Sequence, residues 1–255
     1  MANLANKNAP YAQNTPAGPK LEKLRAALAQ ESLGGFLIPR ADEYQGESVA
    51  PYAERLKWLT GFTGSAGISA VLKDKAVVMS DGRYTIQLPQ QVDTKHFEIA
   101  DSTQVSMAKW LASNAPNGAV IGYDPKLHTE AEIKKIEAEG VTLKPCANLI
   151  DRVWDDQPAP PQGALTLFDE GFAGLSVSEK IGRAADAVGK AEGVATILTM
   201  PDSVAWLLNI RGADVKCVPY ALSTMIVAAD GKAHLFIVPA KLSDEVRAHL
   251  KGKVA

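Results

Sequence analysis

The residues of this sequence that could do chemistry lie in a glycine-rich turn and in a segment that follows it. Residues 61–67 read Gly-Phe-Thr-Gly-Ser-Ala-Gly, and residues 80–84 read Ser-Asp-Gly-Arg-Tyr. Ligand contacts in open α/β folds collect at strand ends, where both segments are expected. The guanidinium of Arg83 has a planar fork of donors that suits the carboxylate or carbonyl groups of a peptide. Arg83 could equally be a surface residue that pairs with Asp81.

The glycines do not favour a phosphate-binding loop or a catalytic serine. A dinucleotide loop has a different glycine spacing and opens a long helix, whereas a hairpin is predicted after residue 67. A nucleophile elbow needs Gly-x-Ser-x-Gly, and Thr63 stands where its first glycine would be. Ser65 also has no sequence signal for a partnered base. The pattern therefore favours a tight turn that lets chain segments pack closely.

Other polar residues give weaker signals. Arg211 resembles Arg83 in its setting, but an internal ion pair with Asp214 is the stronger interpretation. The histidines form no His-x-x-x-His or Cys/His cluster, so the sequence predicts no metal site in this chain; they are His96, His128, His234 and His249. The tryptophans, Trp58, Trp110, Trp154 and Trp206, are interpreted as core or interdomain anchors.

Composition bounds the class of protein. A hydrophobic content of 46% with 22% charged residues indicates a globular chain that can bury a core. A net charge of -2 and only 6% aromatic residues argue against nucleic-acid binding, and no apolar run approaches membrane-spanning length. Cys146 and Cys217 lie far apart, so we expect reduced thiols in the core and a cytoplasmic setting.

The elements that must position these residues alternate between strands and helices. The first part is predicted to contain a helix near 21–28, a buried strand at 36–38, a helix at 54–60 and a hairpin of 68–72 with 76–79. Later strands are predicted at 96–100, 119–123 and 141–143, with helices at 105–112 and 131–139 between them. Thr129 and Glu132 form a capping box for the last helix. This alternation indicates an α/β fold with a mixed, mostly parallel sheet flanked by helices.

Prolines divide the chain. Three of them fall within residues 155–163, which is the clearest linker because proline interrupts both helices and central strands. The sequence therefore predicts a flexible N-terminus at 1–19, a first domain at 20–154, the linker, and a second domain at 164–255.

The second domain repeats the order of the first. A helix at 179–191 capped by Ser178, a strand at 194–199, a short helix around Trp206, and a hairpin of 224–228 with 233–238 are predicted. Trp-Leu before a turn and then a hairpin occurs twice, so we predict two copies of one domain. The second copy has no counterpart to the tail at 105–143, and we expect it to be incomplete.

Together these segments resemble the N-terminal part of the three-domain Xaa-Pro aminopeptidases (aminopeptidase P) of the creatinase/prolidase superfamily. The joint order of the matching stretches is specific, although each alone is weak. They are residues 39–47 (Pro-Arg-Ala-Asp-Glu-Tyr-Gln-Gly-Glu), 50–51, 55–67, 81–84 (Asp-Gly-Arg-Tyr) and 206–215 with Pro219.

The resemblance implies two creatinase N-terminal-like domains of a metal-dependent exopeptidase that releases the residue before proline. Such an enzyme uses two divalent ions, manganese or zinc, to acidify a bridging water. The family's catalytic domain would begin after Ala255, so no catalytic or metal-binding residue falls in this chain, which alone should be inactive. Arg83 matches the family's substrate-contacting arginine. Implied partners are peptides with proline second, the chain's own catalytic domain, and a second copy in a homodimer.

A stand-alone binding module on the same fold is the competing hypothesis, because fold does not fix function. Such a module would hold a small ligand or a partner without peptidase activity. The reading frame after Ala255 separates the two: a following domain with spaced Asp, Asp, His, Glu and Glu ligands favours the peptidase.

Overall fold

The structure is a computed structural model that describes residues 16–255. Backbone proximity divides the chain into two compact units. Unit 1 comprises the described residues up to Ala41 together with Ala53–Pro158, and unit 2 comprises Asp42–Tyr52 together with Ala159–Ala255. Residues 1–15 of the predicted flexible N-terminus lie outside the described residues, whereas Gly18 and Pro19 already begin a helix.

Unit 1 alternates helices and strands, as the sequence predicts. Its elements in chain order are α1 (Gly18–Gln30), β1 (Gly35–Pro39), α2 (Arg55–Thr60), β2 (Ile68–Leu72), β3 (Ala76–Ser80), α3 (Gln87–Gln91), β4 (Glu98–Asp101), α4 (Met107–Asn114), β5 (Val120–Tyr123), α5 (Glu130–Glu137), β6 (Thr142–Pro145) and α6 (Leu149–Val153). The predicted capping box is present at the start of α5, where Thr129 and Glu132 exchange hydrogen bonds.

In the described residues, six strands form one sheet in the order β4-β3-β2-β1-β5-β6. Three neighbouring pairs are parallel, and the two pairs that β2 makes are antiparallel, which confirms the mixed, mostly parallel sheet. Leu24 and Phe36 belong to a core beneath α1, α2 and α6. Leu37 and Met79 belong to a second core beneath α4 and α5. Helices therefore bury both faces of this sheet.

Unit 2 follows the linker. Its elements are β7 (Thr166–Leu167), α7 (Glu170–Ala173), α8 (Val177–Lys190), β8 (Ala195–Leu198), α9 (Pro201–Leu207), β9 (Ile210–Arg211), β10 (Thr224–Ala228), β11 (Ala233–Phe236) and α10 (Asp244–Leu250). Within the described part of the chain, β11, β10 and β8 form an antiparallel sheet, and β7 pairs with β9.

Two local predictions for unit 2 are corrected by the structure. The cap of α8 is Ser176 and not Ser178, because only Ser176 stands three residues before Glu179 and completes a capping box with it. Cys217 is exposed rather than in the core. Residues 42–52 group with unit 2, where the Tyr220 hydroxyl donates to the Ser48 carbonyl at 3.4 Å.

The predicted duplication is confirmed in detail. The order α8-β8-α9-β10-β11 repeats α1-β1-α2-β2-β3, and the strand register repeats with it: Ala195 pairs with Ala228 as Gly35 pairs with Leu72. The residue that follows α2 is Gly61 at φ 80°, and Asn209 takes the equivalent left-handed conformation at φ 51°. Each copy therefore builds the same helix–strand–helix–hairpin unit.

Unit 1 contains a histidine whose side chain is buried. The His128 side chain, which lies before α5, is 3% exposed and packs edge-on against Tyr123. Its Nε2 has no hydrogen-bond partner within the described residues. Burial lowers the pKa of His128, although the carboxylates of Glu132 and Asp124 act in the opposite direction. The folded state therefore favours the neutral imidazole.

We expect unit 1 to lose stability as the pH falls through about 6.5, the ordinary histidine pKa, towards the lower pKa of the folded state. Between these two pKa values the unfolded chain binds more protons than the folded chain, so stability falls. Above them the contribution of neutral His128 to the stability of unit 1 is fully present. Urea unfolding of a His128→Phe variant should show a weaker pH dependence there, with the exposed His234→Asn variant as the control. An unchanged pH dependence in His128→Phe would contradict this account.

In the part of the chain that the structure describes, no helix has both the length and the apolar character needed to cross a bilayer.

Candidate functional site

The glycine-rich turn begins where α2 ends. Gly61 adopts the left-handed conformation, and its N–H donates to the Lys57 carbonyl at 2.8 Å. Glycine adopts this conformation without a steric penalty. The next residue, Phe62, is fully buried, and its N–H donates to Thr60 Oγ1 at 3.1 Å. This segment therefore places an aromatic ring in the core.

Two aromatic rings explain why residue 64 is glycine. Phe62 and Tyr84 meet edge to face, with ring centroids 5.3 Å apart and planes at 89°. A Cβ atom on Gly64 would lie 2.2 Å from the ring of Phe62 and 2.7 Å from the ring of Tyr84. The turn and the later Asp-Gly-Arg-Tyr segment are therefore parts of one packed site.

Ser65 fixes the position of Tyr84. The Ser65 N–H donates to Tyr84 Oη at 3.0 Å, and the two hydroxyl groups lie 2.9 Å apart. These hydrogen bonds lower the pKa of Tyr84. Because the Ser65 hydroxyl is hydrogen-bonded to a phenol, the arrangement agrees with a structural turn and not with a nucleophile elbow.

A buried glutamine, which sequence reasoning missed, holds the middle of the turn. Gln91, at the end of α3, is 1% exposed. Its Oε1 accepts from the Thr63 N–H at 2.9 Å, and its Nε2 donates to Thr63 Oγ1 at 2.9 Å. Ser80 Oγ adds a hydrogen bond to the Ala66 carbonyl at 2.6 Å. The contacts join residues far apart in sequence, so no local pattern could reveal them.

Arg83 lies at the surface of this site, just after β3. Its Nε and Nη2 donate to the two carboxylate oxygens of Asp81 at 2.9 and 2.8 Å, and its own N–H donates to Asp81 Oδ1 at 3.1 Å. These bonds lower the pKa of Asp81 to about 2. The Arg83 side chain remains 62% exposed, and its Cζ lies 5.3 Å from the centre of the Tyr84 ring. The guanidinium is thus oriented by the protein and accessible to solvent.

An exposed apolar side chain stands close to Arg83 in sequence. Ile86, which sequence reasoning did not single out, is 74% exposed. A guanidinium donates hydrogen bonds to carbonyl or carboxylate oxygens, and an exposed aliphatic side chain can contact an apolar group. The exposed side of the Arg83 guanidinium can donate hydrogen bonds to an oxygen atom outside the protein.

Arg211 does not form the predicted ion pair with Asp214. Its Cζ lies 3.8 Å from the centre of the Phe168 ring, and its Nη1 donates to the Ile210 carbonyl at 2.8 Å. Asp214 instead pairs with Lys241 at 2.5 Å, and both of these side chains are buried. The prediction was wrong because the acid nearest in sequence is not the nearest partner in space.

Within residues 16–255, no cluster of three or more histidine, cysteine, aspartate or glutamate side chains could hold a metal ion.

Comparisons with known proteins agree with the duplicated fold. A family model described as the creatinase/prolidase N-terminal domain matches residues 20–153, and a second model with the same description matches residues 156–255. Over 244 residues the chain is 35% identical to a probable Xaa-Pro aminopeptidase P from Coccidioides posadasii, covering 92% of this chain and 40% of that protein. It is 33% identical to aminopeptidase P2 from Arabidopsis thaliana, covering 91% of this chain and 34% of that protein.

The chain is also similar to a solved structure, the crystal structure of an X-prolyl aminopeptidase from Caenorhabditis elegans, which is described as a cytosolic enzyme with a di-nuclear active site. The TM-score is 0.87 at 31% sequence identity, covering 95% of this chain and 42% of that one. The chain thus spans about a third to two-fifths of the length of these relatives.

Proposed function

Since the chain belongs to the creatinase/prolidase family through two N-terminal-type domains, we propose that it is the non-catalytic N-terminal part of an Xaa-Pro aminopeptidase. The parent enzyme is a metallo-exopeptidase that releases the first residue of a peptide whose second residue is proline. Its two divalent ions, manganese or zinc, are held by a catalytic domain outside these 255 residues. Support comes from relatives named for this activity and from the di-nuclear site of the worm enzyme.

The role of this part is to assist substrate binding, and Arg83 is its substrate-binding residue. The observation that carries this proposal is the orientation of an exposed guanidinium by Asp81 at the end of β3. Asp81 holds the Nε side of the fork, so little side-chain freedom is lost when a ligand binds. A peptide carbonyl or carboxylate can then accept a charge-assisted hydrogen bond from the exposed guanidinium.

The proposal is tested by kinetics of the full-length enzyme on an Xaa-Pro peptide. A hydrogen bond to a charged group contributes about 1.5–3 kcal/mol, so Arg83→Ala should lower kcat/KM by roughly 10- to 100-fold with an unchanged melting temperature. Arg83→Lys should recover only part of the lost kcat/KM, because lysine keeps the positive charge but lacks the planar fork of donors.

The matched control is Arg152→Ala, which removes another half-exposed arginine that pairs with a neighbouring acid, Glu31, at 2.7 Å. Its kcat/KM should equal that of the wild type. If Arg83→Ala also retains wild-type kcat/KM, Arg83 does not bind substrate.

The isolated chain should have no peptidase activity, because the described residues offer no ligand set for the metal pair. Release of the first residue from an Xaa-Pro peptide, in a manganese-dependent manner and by the 255-residue chain alone, would refute the non-catalytic assignment.

We also propose a cytoplasmic homodimer. The location is supported by the cytosolic worm relative, and light scattering of the full-length enzyme tests the stoichiometry.

A further inference from the structure

A second glutamine takes part in the hydrogen bonds that hold the glycine-rich turn, and it lies close to Arg83 in sequence. Gln87 begins α3 and is partly exposed. Its Nε2 donates to Thr63 Oγ1 at 3.0 Å and to Gln91 Oε1 at 3.1 Å. Both protons of the Gln87 amide nitrogen are therefore used inside the protein.

These hydrogen bonds fix which way the Gln87 amide points. The backbone N–H of Thr63 can only donate, so the Gln91 atom that it contacts at 2.9 Å must be an oxygen. That oxygen requires a donor from Gln87, which is Nε2. Among residues 16–255, Gln87 Oε1 has no hydrogen-bond partner, and it is accessible to solvent. Gln87 therefore presents an acceptor of fixed orientation at the surface.

Arg83 and Gln87 belong to one helical segment. The tight helical turn of residues 82–84 continues through two residues with right-handed helical backbone into α3. Residues four positions apart on a helix are neighbours, with Cβ atoms about 5–6 Å apart. The glycine-rich turn holds this segment through hydrogen bonds of Ser65 and Thr63. A donor and an acceptor thus lie about one helical turn apart on the same segment.

Such a pair of side chains matches the two polar groups of a single residue in an extended peptide. In an antiparallel sheet, one residue directs its N–H and its C=O to the same neighbour, and the two groups bond to an acceptor and a donor. The Arg83 guanidinium can donate to that carbonyl oxygen, and Gln87 Oε1 can accept from that N–H.

Proline in the second position decides which residue of the substrate this is. Proline has no N–H, and the first residue has an α-ammonium group in place of a peptide N–H. The third residue is therefore the first that has both groups. Building on the proposed function, we propose that Gln87 is a further substrate-binding residue: its Oε1 accepts from the N–H of the third residue, and Arg83 donates to the carbonyl oxygen of that residue.

Kinetics of the full-length enzyme on two peptides test this assignment. One peptide is Ala-Pro-Ala-Ala, and the other is its analogue methylated on the nitrogen of the third residue, which keeps every carbonyl and removes one N–H. Gln87→Met removes the acceptor and keeps the length of the side chain. It should reduce the preference for the first peptide, measured as the ratio of the two kcat/KM values, by roughly 2- to 10-fold, the range of one uncharged hydrogen bond.

The ratio separates substrate binding from support of the turn. Both peptides are measured on the same enzyme, so a weakened turn or a loss of folded protein lowers both kcat/KM values and leaves their ratio unchanged. Gln90→Met is the matched control, because Gln90 is an exposed glutamine of the same helix, and its ratio should equal that of the wild type. Arg83→Ala should lower kcat/KM for both peptides, since both keep the carbonyl.

Two results would overturn the inference. An equal loss with both peptides in Gln87→Met would mean that Gln87 only supports the turn, and wild-type kcat/KM with both would mean that it does not contact substrate. Either result, combined with a lowered kcat/KM in Arg83→Ala, would refute the role of Gln87 and leave the proposed function intact. Wild-type kcat/KM in Arg83→Ala would instead refute the proposed role of Arg83.

Discussion

Replacing Phe62 with alanine is expected to lower the unfolding free energy of unit 1 by about 3–5 kcal/mol. The ring is fully buried and belongs to the same core as Leu56 and Leu59 of α2. It also forms the edge-to-face contact that seats Tyr84. Its removal therefore combines lost burial, a cavity, and a loosened support for the segment that carries Arg83.

Amide hydrogen exchange can measure this loss of unfolding free energy, because it reports the stability of each unit separately. The amides of β2 and β3 should exchange much faster in Phe62→Ala, and those of β10 should not change. Ile86→Ala is the control, since that side chain is 74% exposed and its truncation should have little effect. If Phe62→Ala lowers the unfolding free energy of unit 1 by less than about 1 kcal/mol, the stability of the turn does not depend on this ring.

Replacing Lys241 with methionine is expected to destabilise unit 2 by about 3–5 kcal/mol. The Lys241 and Asp214 side chains are 2% and 0% exposed, and their charged atoms are 2.5 Å apart. Methionine fills a similar volume but leaves the Asp214 carboxylate buried without its cation. The Leu222 N–H, which donates to Asp214 Oδ2 at 2.7 Å, compensates only part of that charge.

The double variant Lys241→Met/Asp214→Asn separates charge from packing. A neutral amide can still accept from the Leu222 N–H, so we expect most of the lost stability to return. Lys232→Met is the matched control, because Lys232 and Asp230 form an exposed ion pair at 2.6 Å. If the double variant is as unstable as the single one, an unpaired buried charge is not the cause.

Most secondary structure could be predicted because its signals are local. Short stretches of sequence contain the signals for the capping box at Thr129, the hairpin of β2 and β3, and the duplicated Trp-Leu segment. Ser178 was the wrong cap although the same rule identifies Ser176, three residues before Glu179. The signal for this cap is therefore present in the sequence.

The site was less predictable because its contacts are not local. Sequence reasoning identified Arg83 and its pairing with Asp81, which lies two residues away. It missed Gln91, which bonds to Thr63 across 28 positions, and it could not assign Tyr84 to Ser65. Residues 42–52 grouped with unit 2 for the same reason, since burial against distant residues leaves no periodic pattern.

The most direct measurement of the central claim is a crystal structure of the full-length enzyme with a bound Xaa-Pro peptide analogue. The account predicts a guanidinium nitrogen of Arg83 within about 2.7–3.2 Å of a peptide oxygen, with Tyr84 still hydrogen-bonded to Ser65. A fully occupied peptide that lies beyond hydrogen-bond reach of Arg83 would contradict it.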